Sequence, residues 1–413
     1  MSETLPRLSW RRRMTGRDPD EWHRASTPLE LLFDLTFVVA VAQAGTQLHH
    51  ALAAGHAGHA VAGSVLVFFG IWWAWVNFTW FASAYDTDDV PYRLLTLLQM
   101  GGVLVFAAGI PLAFEHFDFT IVVIGYVIMR LALVTQWLRA AAEHPAGRAA
   151  TLRYAGGVTL VQLCWVGRLW LPGLVGVIGF VVLVAAELAV PAWAEFAGRS
   201  TPWHPDHITE RYGLFTIIVL GEAVAATMTA VQQAMAAGGV SGGLLFAAVA
   251  GLVLVFVLWW SYFKHASPRQ VRQSLRVTFA WAYAHYAVFA AVAALGAGLQ
   301  VVIGTVRHET PVSPVFAAFT VALPAAIFLI VLGMLTPGTT RGGPISTGLI
   351  AITAIFVLLA ALTADVITLS VTVLIIAMLV ALLLAYHLAA AHRESAGRLA
   401  AGISRKPTTG PEV

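Results

Sequence analysis

Charge is what this chain has least of. Only 11% of its 413 residues are Asp, Glu, Lys or Arg, where a soluble domain carries nearer a quarter. Hydrophobic residues make up 59% and the mean hydropathy is +0.79. Such a chain cannot cover itself with polar surface, so its natural solvent is a bilayer. Cysteine is nearly absent: Cys164 stands alone, which excludes a disulfide framework and a cysteine metal cluster. The formal net charge is +3 and no contiguous basic face is visible, so no nucleic-acid partner is expected. Walker loop, dinucleotide fingerprint, nucleophile elbow and HExxH are all missing. No cofactor and no metal are therefore expected, and ATP-driven transport by this chain alone is disfavoured. No short apolar core lies close to Met1, and the residues through His23 are polar and arginine-rich, so no cleavable signal peptide is expected.

What the chain has in quantity is long apolar runs. About twelve are long enough to span a bilayer, near 31–52, 61–84, 94–113, 119–140, 152–170 and 173–194, then 211–235, 242–265, 277–303, 313–335, 346–364 and 367–391. With the amino terminus in the cytoplasm, alternate loops carry Arg93; Arg139, Arg148 and Arg153; Arg199 and Arg211; Lys264, Arg269, Arg272 and Arg276; and Arg341. The opposite loops hold only Arg168 and Arg307. This is the positive-inside pattern with both termini cytoplasmic. Phe69–Trp75 (FGIWWAW) matches Phe256–Tyr262 (FVLWWSY) without a gap, and Glu30 and Thr36 match Glu210 and Thr216. The expected fold is an all-α polytopic membrane protein built of two parallel six-helix repeats. A basic arm (1–29) precedes the first repeat (30–198) and the second (199–392), and a cytoplasmic tail (393–413) follows. Repeats of this kind in transporters hold substrate between the halves near mid-membrane.

Ionisable residues within such runs are functional-site candidates by default. Glu222 lies about 18 Å of helix beyond Glu210, near the middle of a hydrocarbon layer about 30 Å thick. Arg130 and Gln43 fall at comparable depth, and a Glu222–Arg130 pair across the bundle would hide both charges, either as a static lock or as a working proton or ligand site. Glu187 and His387 occupy similar places in the sixth and twelfth runs and form a candidate proton-linked pair, with His285 as a third member. Glu30 and Asp34 share a helix face one turn apart; Asp34 is expected to pair with an arginine from an inner loop or to line an inner vestibule. In Asp86-Thr-Asp88-Asp89, Asp88 or Asp89 is expected to cap the third helix and to pair with Arg93 or a neighbouring arginine. His49, His50, His56 and His59 read as a solvated outer loop. Most tryptophans read as an interfacial belt, and Trp75 and Trp80 are candidates to line a cavity.

Three ordered blocks carry a family resemblance: STPLELLFDLTFVVAVAQ (Ser26–Gln43), WWAWVNFTWFASAYDTDDVPYRLLTLLQM (Trp72–Met100) and HITERYGLFTIIVLGEAV (His207–Val224). They resemble the bacterial low temperature requirement A family, with Leu32 where that family usually has a second Phe. The resemblance implies a polytopic membrane protein of the bacterial inner membrane. It singles out Glu30, Asp34, Asp86, Asp88, Asp89, Arg93, His207, Glu210, Arg211 and Glu222. It transfers no substrate or reaction. Expected partners are the lipid bilayer and a small-molecule or lipid ligand. The leading expectation is a secondary transporter with protons as its coupling ion, with Glu222, Arg130 and Gln43 near its central site and the Asp34 and Asp86–Arg93 groups gating the inner side. An intramembrane enzyme acting on a lipid or isoprenoid, and a membrane sensor or assembly protein, are the alternatives.

Overall fold

The computed structural model describes residues 10–19, 21–22, 24–198, 200–236, 241–265, 274–335 and 344–403. Among them are twelve α-helices and no strand. The first six are α1 (Pro28–Ala53), α2 (Ala57–Tyr85), α3 (Val90–His116), α4 (Thr120–Glu143), α5 (Arg148–Arg168) and α6 (Gly173–Phe196). The second six are α7 (Pro205–Ala236), α8 (Gly242–His265), α9 (Leu275–Val306), α10 (Pro314–Leu335), α11 (Pro344–Ala361) and α12 (Leu369–Ile403). Each expected run falls on one helix. Ten are long and apolar enough to cross a membrane. The exceptions are α5, whose sequence is diluted by Arg148, Arg153 and Arg168, and α11, whose apolar part, Thr347–Ala361, is short. Arg7, Asp20, Arg199, Arg269, Arg272, Arg341, Arg405 and Lys406 lie outside the described residues.

Local chemistry sets the helix ends. Thr27 caps α1 by accepting from Glu30 N, while the Glu30 carboxylate accepts from Thr27 N, which satisfies two otherwise orphaned donors. Asp89 and Ser274 cap α3 and α9 in the same side-chain-to-backbone manner. The chain turns between α5 and α6 at Leu171-Pro172-Gly173, where Gly173 takes φ +52, which a residue with a Cβ rarely adopts. Several boundaries differ from expectation, and α12 runs to Ile403 rather than 391, into the expected tail. Helix α7 starts at Pro205 rather than 211, so His207, Glu210 and Arg211 stand in its first two turns. The four histidines are not one loop: His49 and His50 end α1, His59 belongs to α2, and only His56 lies between them.

Helix α1 packs on α2, α3, α7 and α9, and α2 and α9 have the most enclosed apolar stretches. The arm before α1 laces one end of the bundle. Arg12 N donates to Asp89 Oδ2 (2.8 Å), Met14 N to Glu143 Oε2 (2.5 Å), Arg17 N to Ala84 O (3.0 Å) and Ser26 N to Glu210 Oε1 (3.3 Å). We call this end the arm face and the opposite end the far face. Trp72, Trp73 and Trp75 are all buried, so these three do not form an interfacial belt; their counterparts Trp259 and Trp260 are 45% and 50% exposed. The matched motif meets different surroundings in the two halves.

Helices α3 and α4 approach through small residues, since without water to drive association helices gain most from close backbone contact. A Cβ on Gly125 would collide with Phe106 backbone, one on Gly102 with Gly125 O at 2.9 Å, and one on Gly109 with Val122 N at 2.7 Å. Gly101 faces open space. We expect Gly125→Ala to cost about 1–3 kcal/mol through overpacking and Gly101→Ala to be neutral or slightly stabilising. Thermal unfolding of both variants in one detergent checks this; equal melting temperatures would exclude the close approach.

Candidate functional site

Among the polar groups inside the bundle, three sites hold the candidate residues. The first is at the arm face, between α1 and α7. The capping geometry of Thr27 sets Glu30 and Asp34 one turn apart on the inward side of α1, and the early start of α7 brings His207 and Arg211 opposite. All four are fully buried. Arg211 donates through Nη2 to Asp34 Oδ1 (2.5 Å) and through Nε to Asp34 Oδ2 (3.1 Å). Its Nη1 lies 3.1 Å from Glu30 Oε1, and His207 Nε2 lies 3.1 Å from the same oxygen. Trp75 Nε1 donates to Asp34 Oδ1 (2.7 Å). Arg24 of the arm closes the group, donating to Ser83 O and to Ala82 O (2.7 Å), with Nη2 3.7 Å from Glu30 and 3.9 Å from Asp86. Three carboxylates thus face two guanidiniums. With all of them ionised, one negative charge is left over. Burial, reinforced by Glu30, pushes the Asp86 carboxyl up to about 6.

The neighbouring Asp88–Asp89 pair is as expected. Asp89 caps α3 and accepts from Arg139 at 2.6 and 2.9 Å. Its burial would raise the carboxyl, but hydrogen bonds from Arg139, Arg12 N and Tyr92 N outweigh it and hold the group at about 2. Asp88 pairs with Arg93 at 2.8 and 2.9 Å on the surface, where such a pair contributes little.

The second site corrects two expectations. Arg130 pairs with Glu187 of α6 (3.3 Å), not with Glu222, because α4 and α7 share no packed face among the described residues. Among the described residues Glu187 is likewise paired with neither His387 nor His285. Its carboxylate accepts from Trp73 Nε1 (2.8 Å), Tyr126 OH (3.0 Å) and Trp165 Nε1 (3.2 Å), donors from α2, α4 and α5. Arg130 donates to Tyr126 OH and lies over its ring. His285 instead hydrogen-bonds Tyr262 OH (3.1 Å) and Trp281 O (2.7 Å). His387 is half-buried on α12 beside Tyr386.

The third site holds Glu222. A cavity of about 150 Å³ lies between α1, α7 and α9, walled by Thr46, Glu222, Thr229, Gly296 and Gln300 with small apolar neighbours. That is room for about five waters. Glu222 is half-buried and has no ion pair among the described residues. Gln43, half-buried on α1, is not part of the wall. Sequence reading missed Gln300, Thr46 and Thr229 here, and Arg24, Trp73, Tyr126 and Trp165 elsewhere. Only Arg24, six residues before Glu30, left a readable trace.

Residues 25–386 match the family described as bacterial low temperature requirement A protein (LtrA). The chain belongs to the LtrA family. It is also 30% identical over 254 residues to a protein of Rhizobium meliloti (strain 1021), "Uncharacterized protein RA0937". That match covers 60% of this chain and 60% of the relative, so the chain spans less than two thirds of the length of this curated relative. Together with the ten apolar helices, membership makes this LtrA chain a multi-pass membrane protein.

Two tests follow from the arm-face cluster. Arg211→Gln strands two buried carboxylates and is expected to cost about 3–5 kcal/mol, part of it recovered in the Asp34→Asn/Arg211→Gln double variant. Unfolding in detergent measures both, and a wild-type midpoint for Arg211→Gln would exclude the cluster as the fastening of α1 to α7. The Asp86 proton gives the second test. Because its folded value lies above the ordinary carboxyl range near 4, stability from this group is full below about pH 4 and is lost as pH rises through 6. Asp86→Asn should therefore gain stability over wild type between pH 4 and 6 and keep that gain above it; a difference that does not vary with pH would contradict the shift.

Proposed function

We propose that this protein is a proton-coupled secondary transporter of the bacterial inner membrane. In this reading it has twelve spans in two parallel six-helix repeats, the arm face is cytoplasmic, and Glu222 is the working carboxylate. The order of packing supports the repeat. Helix α1 packs on α2 and α3 as α7 packs on α8 and α9; α3 packs on α4 as α9 packs on α10; and α4, α5 and α6 follow one another as α10, α11 and α12 do. The excess of arginine on the arm-face loops supports the orientation.

One observation carries the proposal. The Glu222 cavity and the Asp34–Arg211 pair are stacked on the same two helices, α1 and α7, which lead the two halves. Thr46, Thr229 and Gln300 lie within about two turns of the far-face helix ends, so the cavity is nearer the far face and Glu222 forms its deep end. Toward the arm face, Phe37, Trp75, Phe215, Val219 and Phe289 are all buried, and Trp75 stacks on Phe215 at 4.3 Å between ring centroids. Below them lies the ion cluster. A cavity at one side, an aromatic seal and a buried charge lock in series match one closed state of an alternating-access cycle.

The test is proton flux into proteoliposomes under an imposed potential, with wild type and Glu222→Gln reconstituted at matched folded amounts. Wild-type flux is expected, together with its loss in the variant at an unchanged melting temperature. Equal flux in both would remove Glu222 from the mechanism. Absent flux, with the variant merely less stable, would make the residue structural.

A further inference from the structure

Away from the Glu222 cavity, α2 and α6 fail to close on each other. Apart from the Trp73–Glu187 hydrogen bond, their backbones hardly approach each other among the described residues, whereas α8 and α12, which hold the same places in the second half, pack extensively. The gap is a crevice of about 320 Å³ walled by Leu66, Phe69 and Trp72 of α2, Val184 and Leu188 of α6, and Tyr286 of α9. The hydroxyls that could have wetted it are used elsewhere: Tyr283 donates to Leu188 O and Tyr286 to Val65 O, both at 2.9 Å. Its α2 and α6 walls run from roughly 10 to 22 Å below the far-face ends of those helices at helical rise. That is the depth of the hydrocarbon chains in one leaflet of a layer about 30 Å thick.

At the far-face side, Leu66, Phe69 and Phe180 also wall a second, narrower pocket, and Arg168 is part of its rim. Arg168 is the last residue of α5, which places it at headgroup level. Its guanidinium is held among Phe180, Phe119 and Trp165 at 5.0, 5.5 and 5.9 Å from their ring centroids. Its Nε donates to Gly176 O (3.0 Å), and no carboxylate pairs with it among the described residues. Arg307, also on this face, is already neutralised by Glu309 at 2.7 Å.

We propose that this crevice is a binding site for an anionic phospholipid, with one acyl chain between α2, α6 and α9 and the phosphate on Arg168. The walls present hydrocarbon and aromatic surface: the Tyr283 and Tyr286 hydroxyls are taken, and Trp72 Nε1, which has no hydrogen-bond partner, is buried beneath the surface. The surrounding bilayer supplies chains at this depth. Two N–H-bearing nitrogens of a fixed guanidinium suit two phosphate oxygens, the geometry in which arginine binds phosphate most strongly. The site is separate from the Glu222 cavity and does not depend on the transport reading.

The experiment is lipid retention by native mass spectrometry after purification in a mixture of phosphatidylglycerol and phosphatidylcholine. The wild type is expected to keep one phosphatidylglycerol per chain, favoured about tenfold over phosphatidylcholine, as a charge-assisted hydrogen bond would give. Arg168→Gln should lose the preference, and Val184→Trp, which fills the crevice, should lose the lipid of either kind. Arg307→Gln should behave as wild type. Undiminished preference in Arg168→Gln, or displacement of the bound species by excess inorganic phosphate, would overturn the proposal. Arg168 is partly solvent-exposed, so its variant decides the question even where Val184→Trp does not elute as a single species.

Discussion

The contact on which the rest of this structure depends is Arg211 between Glu30 and Asp34. Ions taken out of water lose several kcal/mol of solvation each, and only close, well-hydrogen-bonded partners offset that loss. The chain meets the condition by spending three helical positions, a tryptophan N–H and an arginine from outside the helices on one cluster. Two consequences follow. Helices α1 and α7 cannot slide or separate without exposing charges to hydrocarbon, so they act as a single two-helix axis. The arm is also a structural part of the bundle: Arg24 satisfies carbonyls at the end of α2 while facing two buried carboxylates, and the arm backbone is tied to α3, α4 and α7 through acidic side chains.

The same logic separates the carboxylates into two kinds. Glu187 accepts from three aromatic donors and touches Arg130. Glu195 is held by Tyr154 (2.9 Å) and by the side chain and N–H of Thr201 (2.6 and 2.9 Å). Groups so thoroughly held are fixed in place. Glu222 differs: it is only half-buried, it lacks an ion pair among the described residues, and it opens on a cavity. A carboxylate in that setting can change its proton or its partner without dismantling a helix interface, which is what a coupling site requires.

The helices were legible from the sequence because a spanning segment announces itself in composition alone, without reference to its neighbours. So were features that depend on local spacing, such as Glu30 and Asp34 on one face, Asp89 at the head of α3, and Asp88 beside Arg93. The partner of Arg130 was not legible. Depth along a helix follows from counting residues, but position around the bundle does not, and Glu222 and Glu187 are both deep. Which carboxylate Arg130 meets is decided by α4 lying near α6 through α5 and away from α7. The WWxW motif failed for the same reason. Its copies are alike in sequence, yet Trp72 and Trp73 are enclosed while Trp259 and Trp260 face outward.

Trp75 links the charge lock to the seal above it. Its indole N–H is spent on Asp34, and its ring stacks on Phe215 and meets Tyr212 and Phe289 edge-on at 5.0 and 5.9 Å. Along α7, Arg211, Phe215, Val219 and Glu222 follow one another at spacings of four, four and three residues, so lock, seal and cavity floor share one helix face. A proton on Asp34 would weaken both its bond to Arg211 and its hold on Trp75. The aromatic layer could then move without breaking any backbone hydrogen bond. Under the transport reading, the seal is thus opened by a change of charge at the arm face and guarded by Glu222 from the other side. The two carboxylates stand in series on the axis that the buried arginine holds together.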